Sequence, residues 1–207
     1  MFLHFTEDSY EKALIGLFQS MGYEYAYGPD IERNYQEPYY LNQVWASLPI
    51  VNPSKHQNAI AEAIKKLTNI DSGDLAQKNG IFMDYLQNGI PVAYHDGKEI
   101  RHDIVYLIDY ENTHRNTFQI INQWTYVEKS EKRADLIVFV NGLPLVLIEL
   151  KSPSREETDA SAAYRQIRNY MFEIPSMFTY NAFCVMSDML CSKAGTITSS
   201  EDRFMEW

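Results

Sequence analysis

The sequence is short of cysteine, of basic residues and of long apolar runs, and each shortage removes a class of function. Its two cysteines, Cys184 and Cys191, make neither a CxxC metal or redox motif nor a disulfide framework, which fits a reduced, intracellular setting. Against 28 Asp and Glu there are only 18 Lys and Arg, a net charge of −10. That is the wrong sign for a free-standing DNA binder, because phosphate affinity comes mainly from basic side chains; if DNA is the substrate, another component holds it. The longest apolar stretch is broken by Asp135 and by Asn141-Gly142, so no membrane span is expected. The opening residues, MFLHFTEDSYEK, carry acids where a secretory leader needs a basic region, and a cytoplasmic location is expected. No GxxxxGK[ST] phosphate loop, internal repeat, low-complexity tract or linker is found, so an ATP-driven motor is not encoded here.

What is present suits one domain spanning residues 1–207, with 45% apolar and 22% charged residues, enough for a sizeable core. Thr6 caps a first helix with Glu7 and Asp8 near its positive end, and Tyr10, Leu14, Leu17, Phe18 and Met21 recur at helical spacing as its buried stripe. Glu11 lies at the margin of that stripe, where it either reaches a functional site or is simply a first-turn acid favoured by the dipole. Residues 21–49 read as a strand followed by a long aromatic covering loop. Asn52-Pro53-Ser54 opens a second helix with Ile60, Ile64 and Leu67 inward and Lys55, Lys65 and Lys66 outward; a third runs from about Gly73 to Gln87. Strands at 90–94 and 100–108 flank Asp96-Gly97 as a hairpin, and Phe118, Ile120, Asn122, Trp124 and Tyr126 mark one face of a further strand. His95, His102 and His114 have no metal-ligand spacing and are expected at the surface or in hydrogen bonds. A helix beginning near Glu156 puts Ala160, Ala163, Tyr164, Ile167 and Met171 on one face and ends at Pro175. A doubly buried strand is expected over 178–186, parallel to the preceding hairpin through that helical crossover. Residues 193–207 read as a short strand and a helical start. The expected class is α/β, a mixed central sheet flanked by helices.

The chemistry gathers in residues 133–151, RADLIVFVNGLPLVLIELK. Two apolar strands flank Asn141-Gly142, with Asp135 at the far end of one and Glu149 and Lys151 at the far end of the other. Glu149 and Lys151 share a face because side chains alternate along a strand. Asp135 joins them only if the hairpin phase is odd: a two-residue turn pairs it with Ile148, whereas a three-residue loop, Asn141 to Leu143, pairs it with Glu149. Facing carboxylates gain from a shared divalent cation, and an all-oxygen shell, to which the Leu150 carbonyl adds a ligand, points to Mg²⁺ or Mn²⁺. Such a centre, with Lys151 beside it, suits phosphodiester hydrolysis. The alternative reading of the same three residues is a structural ion pair at a hairpin end. Gln166 and Tyr170, four apart on the following helix, stack on one face beside its apolar stripe.

Asp135, Glu149-Leu150-Lys151 and Gln166-x-x-x-Tyr170 resemble the PD-(D/E)xK nuclease pattern with its QxxxY motif, with Ala134 where the pattern's name has proline. The phrases RADLIVFVNGLPLVLIELKSP, NTFQIINQW, YRQIRNY and GTITSSEDRFMEW, with FTEDSYEKALIGLFQSMGYEY upstream, resemble the N-terminal nuclease domain of the restriction subunit of type I restriction-modification enzymes. The resemblance covers nearly the whole chain. It implies a restriction-endonuclease-like core and Mg²⁺-dependent cleavage of double-stranded DNA. It further implies a helicase motor that uses ATP in the full-length subunit but outside this fragment, and partner specificity and methyltransferase subunits. Carried onto matching positions, Asp135 and Glu149 are metal ligands, Lys151 the catalytic lysine, and Gln166 and Tyr170 supporting or DNA-contacting residues, with Glu11 a further metal-site candidate. Two rival readings stand beside this one. A catalytically silent module that binds DNA or subunits is opposed by the intact acid, acid and lysine set. A stand-alone repair nuclease would need a basic surface of its own.

Overall fold

A computed structural model describes residues 6–151, 160–188 and 191–206. The order of elements along the chain explains how the hairpin is framed. Thr6 accepts from the Ser9 N–H and caps α1 (Glu7–Ser20). A short strand, β1 (Glu24–Tyr27), leads through aromatic cover into α2 (Leu41–Val51), α3 (Gln57–Thr68) and α4 (Leu75–Asn88). A two-stranded sheet follows, β2 (Ile90–His95) with β3 (Ile100–Val105), and then the three long strands β4 (Phe118–Val127), β5 (Glu131–Val140) and β6 (Leu143–Leu150). Helices α5 (Ala160–Glu173) and α6 (Pro175–Thr179) precede β7 (Phe183–Ser187), β8 (Ser192–Gly195) and β9 (Met205–Glu206). The main sheet has seven strands in the order β1-β4-β5-β6-β7-β8-β9. It is mixed: β1 runs parallel to β4 and β6 parallel to β7, and the other neighbours are antiparallel. The parallel β6–β7 pair is the crossover expected from the sequence, with α5 as the connection. The start proposed near Glu156, and Ala160's place on the helix face, lie outside what is described.

Three apolar clusters fix the layers. One face of the sheet packs on α5 and α6 through Trp124, Phe139, Ile167 and Phe178. The other meets α1 through Ile15, Ile120, Leu136, Ile148 and Leu150. At the closed end of the β5–β6 hairpin, α2 to α4 and the β2–β3 sheet enclose Leu48, Leu67, Phe82, Ile90 and Leu143. At ~25 cal/mol per Å² of apolar surface, burial of this kind is the main term opposing chain entropy.

Several expectations are corrected. The covering loop contains a helix, α2, whose Val44, Leu48 and Val51 are buried at helical spacing; Pro49 inside it breaks the pattern that would have revealed it. Asn52 does not open the next helix but closes α2, donating to the Leu48 and Tyr106 carbonyls, and α3 starts at His56 as cap. Lys55 pairs with Asp103 instead of facing water alone. On α1, Leu17 and Met21 are 54% and 63% exposed while Ile15 is buried. The helix meets the sheet through Ile15, with Tyr10, Leu14 and Phe18 partly buried against the same cluster, and Leu14, Phe18 and Val146 border a groove of about 420 Å³. Pro175 both follows α5 and begins α6, so the buried strand is confined to Phe183–Ser187. The tail carries β8, a short 3₁₀ turn and β9. His95, His102 and His114 are all exposed.

Candidate active site

The hairpin turn is Asn141-Gly142, with Val140 opposite Leu143 and φ of 54° and 82° at the two turn residues. It is therefore a two-residue turn of the kind both positive angles define, not the three-residue loop expected. The odd phase arises elsewhere. Phe139 faces Pro144, but Val138 faces Val146, so Leu145 is an extra residue that moves the register by one. A β-bulge beside a proline is a natural place for that step, since Pro144 has no N–H to give the ladder. The Leu145 carbonyl accepts instead from Ala182 N–H at 2.8 Å and from Asn181 Nδ2 at 3.2 Å. Beyond the bulge Leu136 faces Ile148, and one step further in the same register Asp135 meets Glu149.

Backbone pairing stops at that step, and side chains take over. Asp135 Oδ2 accepts from the Leu150 N–H at 2.9 Å. Lys151 Nζ donates to Glu149 Oε1 at 2.7 Å and to the Leu150 carbonyl at 3.0 Å, so the carbonyl expected to face a metal faces the ammonium here. The Lys151 N–H ties this residue to Ser187 on β7 at 2.9 Å. Glu149 has 0% side-chain exposure, Lys151 14%, and Glu149 Oε2 is buried with no hydrogen-bond partner. Burial, followed by the negative charge of Asp135, pushes the Glu149 carboxyl up to about 8 despite its bond to Lys151. Asp135 is also raised, chiefly by burial, against the pull of the Leu150 N–H and Lys151. With both carboxyls ionised, the cluster has one ammonium for two negative charges and lacks one positive charge.

From α5, Gln166 Nε2 donates to the Tyr170 hydroxyl at 2.7 Å, and that hydroxyl donates to the Arg133 carbonyl at 3.1 Å. Tyr170 is raised by burial and by the charges of Glu149 and Asp135, which places the pair at the carboxylate end of the hairpin. Glu11 reaches the same end from α1: its Oε1 accepts from Asn122 Nδ2 at 2.7 Å and its Oε2 from Gln123 Nε2 at 3.0 Å. Among the described residues, no three His, Cys, Asp or Glu gather closely enough to hold a metal; the charged centre is the Asp135–Glu149 pair with Lys151. Sequence reasoning missed Gln123. It placed Ile120, Asn122, Trp124 and Tyr126 on one face, but Ile120 packs toward α1 and Trp124 toward α5. The alternation switches at Gln123, which has φ of 54°, and glutamine gives no advance notice of a left-handed backbone.

The family model of the Type I restriction enzyme R protein N terminus matches residues 4–203. The chain belongs to this family. It is 33% identical, over 98% of its length, to the type I restriction enzyme HindI endonuclease subunit of Haemophilus influenzae. To the putative MjaIXP endonuclease subunit of Methanocaldococcus jannaschii it is 32% identical over 95% of its length. The chain spans 20% of the length of each of these relatives. The EcoprrI endonuclease subunit of Escherichia coli is 29% identical over 79% of the chain and 56% of that relative. For a type I R protein N terminus, the seven-stranded mixed sheet between helices is consistent with a restriction-endonuclease-like core. No helix among the described residues is long and apolar enough to cross a membrane.

Proposed function

We propose that this R protein N terminus is an endonuclease domain that hydrolyses phosphodiester bonds of double-stranded DNA within an ATP-dependent type I restriction-modification complex. The observation that carries the reading is the partnerless, fully buried Glu149 Oε2 next to Asp135 and the Lys151 ammonium. An orphaned acid oxygen of this kind fits a divalent cation, and oxygen donors fit Mg²⁺ or Mn²⁺. Asp135 and Glu149 would hold it, with the Leu150 carbonyl as a further candidate donor. When bound, the ion supplies a water of lowered pKa and charge stabilisation at a phosphate oxygen. Lys151, anchored through its own N–H to β7, holds an ammonium where it can orient a water, move a proton at Nζ or offset developing charge. Tyr170, braced by Gln166, fixes the Arg133 carbonyl and with it the strand entering Asp135.

The remaining length of the subunit would carry the ATP-driven helicase motor, and specificity and methyltransferase subunits would recognise sequence. That division accounts for a nuclease of net charge −10: the DNA is held by other parts. In the full-length subunit assembled with its partners, Asp135→Ala, Glu149→Ala and Lys151→Ala are each expected to lower DNA cleavage by at least about 100-fold, with ATP hydrolysis retained. Undiminished cutting by all three variants would overturn the assignment.

A further inference from the structure

We infer that Asn122 and Gln123 are positioning residues which clamp Glu11 as a fixed negative charge beside the Asp135–Glu149 pair, so that Glu11 raises divalent-cation affinity through its field and not by ligation. The inference rests on the cation site proposed above. Gln123 lies between the pairs Asn122–Leu136 and Trp124–Ala134 of the β4–β5 ladder, which puts it across from Asp135. Its left-handed backbone lets two consecutive side chains, Asn122 and Gln123, serve α1 together, one for each oxygen of Glu11. A regular strand would send one of them to the opposite face. A left-handed angle at a non-glycine residue is unfavourable in itself and persists where the surroundings enforce it.

The surroundings do enforce it. The Tyr25 hydroxyl donates to Asn122 Oδ1 at 3.1 Å, which fixes the carboxamide so that its Nδ2 faces Glu11. Gly28 presses on the kink from the other side: a Cβ there would sit 2.7 Å from the Asn122 carbonyl oxygen and 2.8 Å from that of Gln123. Contributions from β1, the turn after it, β4 and α1 therefore converge on one carboxylate. With both oxygens committed to amide donors, the Glu11 carboxylate is fixed in place at the edge of the pair, and its charge, after that of Glu7, is felt at Asp135.

The test is a double-mutant cycle on the 207-residue protein, reading Mn²⁺ affinity by electron paramagnetic resonance of the free ion at low and at high salt. Glu11→Gln removes the charge. Gln123→Gly removes the carboxamide but keeps a residue at ease with positive φ. Each single variant is expected to bind Mn²⁺ about five-fold more weakly at low salt, with most of that difference screened away at high salt. The double variant is expected to be no weaker than either single, since both act through one charge. Wild-type affinity in Gln123→Gly, multiplicative losses in the double variant, or a loss indifferent to salt would each overturn the inference while leaving the cation site standing. Absence of Mn²⁺ binding by the wild-type protein would overturn the cation site and this inference together.

Discussion

At the scale of single residues the telling group is the Glu149 carboxyl, which takes up a proton near pH 8 in the folded chain and near the ordinary glutamate value when unfolded. Between those two values the folded state binds more protons than the unfolded one, so stability falls as pH rises, by up to about 1.4 kcal/mol per pH unit for one group. In chelator, the melting temperature is expected to drop from pH 5 to pH 8. Glu149→Gln should flatten that drop but not abolish it, since Asp135 is raised as well, and Mn²⁺ should restore stability at the alkaline end. Equal pH slopes in wild type and Glu149→Gln would contradict the assigned shift. That Asp135, Glu149 and Lys151 meet was legible in the sequence because strand alternation, given an odd phase, brings the charges at the two strand termini together at the open end of the hairpin. Asn122 and Gln123 were not, because neutral amides in a strand look like ordinary edge polarity until the backbone angle is known.

At the scale of elements, the β5–β6 hairpin shows where pattern reading succeeds and where it fails. The need for an odd phase followed from alternation alone, but the device supplying it, the bulge at Leu145, was not placed, because Pro144 beside it reads as well as a strand start after a three-residue loop. In the same way α3 and α4 could be read from their apolar stripes, though the opening of α3 was placed too early, at Asn52 and not at His56, whereas α2 was concealed by Pro49 and by the aromatics ahead of it. The turn itself makes a sharp expectation. A Cβ on Gly142 would lie 2.6 Å from the Tyr40 carbonyl oxygen and 2.7 Å from the Val44 nitrogen, while one on Gly97 would meet nothing within 4 Å; φ is positive at both. Gly97→Ala should therefore cost about 1–2 kcal/mol, the conformational penalty alone, and Gly142→Ala distinctly more, as read by urea unfolding. Comparable losses would mean that the contacts of α2 with the turn give way easily.

At the scale of the whole molecule, charge and layering divide the labour. The chain offers a buried acid–acid–lysine cluster on a sheet closed by helices on both faces, yet its acidity opposes any grip on a polyanion. The 207-residue protein is expected to bind a short duplex more weakly than the ~10⁻⁴–10⁻⁶ M usual for non-specific association at physiological salt. Fluorescence anisotropy across a salt series checks this, and a tight complex with a steep salt slope would assign DNA holding to this domain after all. The clusters also differ in what they secure. Asn141, at the closed end of the hairpin, is itself fully buried, donating to the Leu107 carbonyl and Asn116 and accepting from the Thr117 N–H. The opposite end is where the ladder stops and Asp135 substitutes a side chain for a rung. The hairpin is thus built like a pair of tongs riveted at the handle: the rivet bears the load of holding the two arms in phase, and the tips are left to adjust their grip.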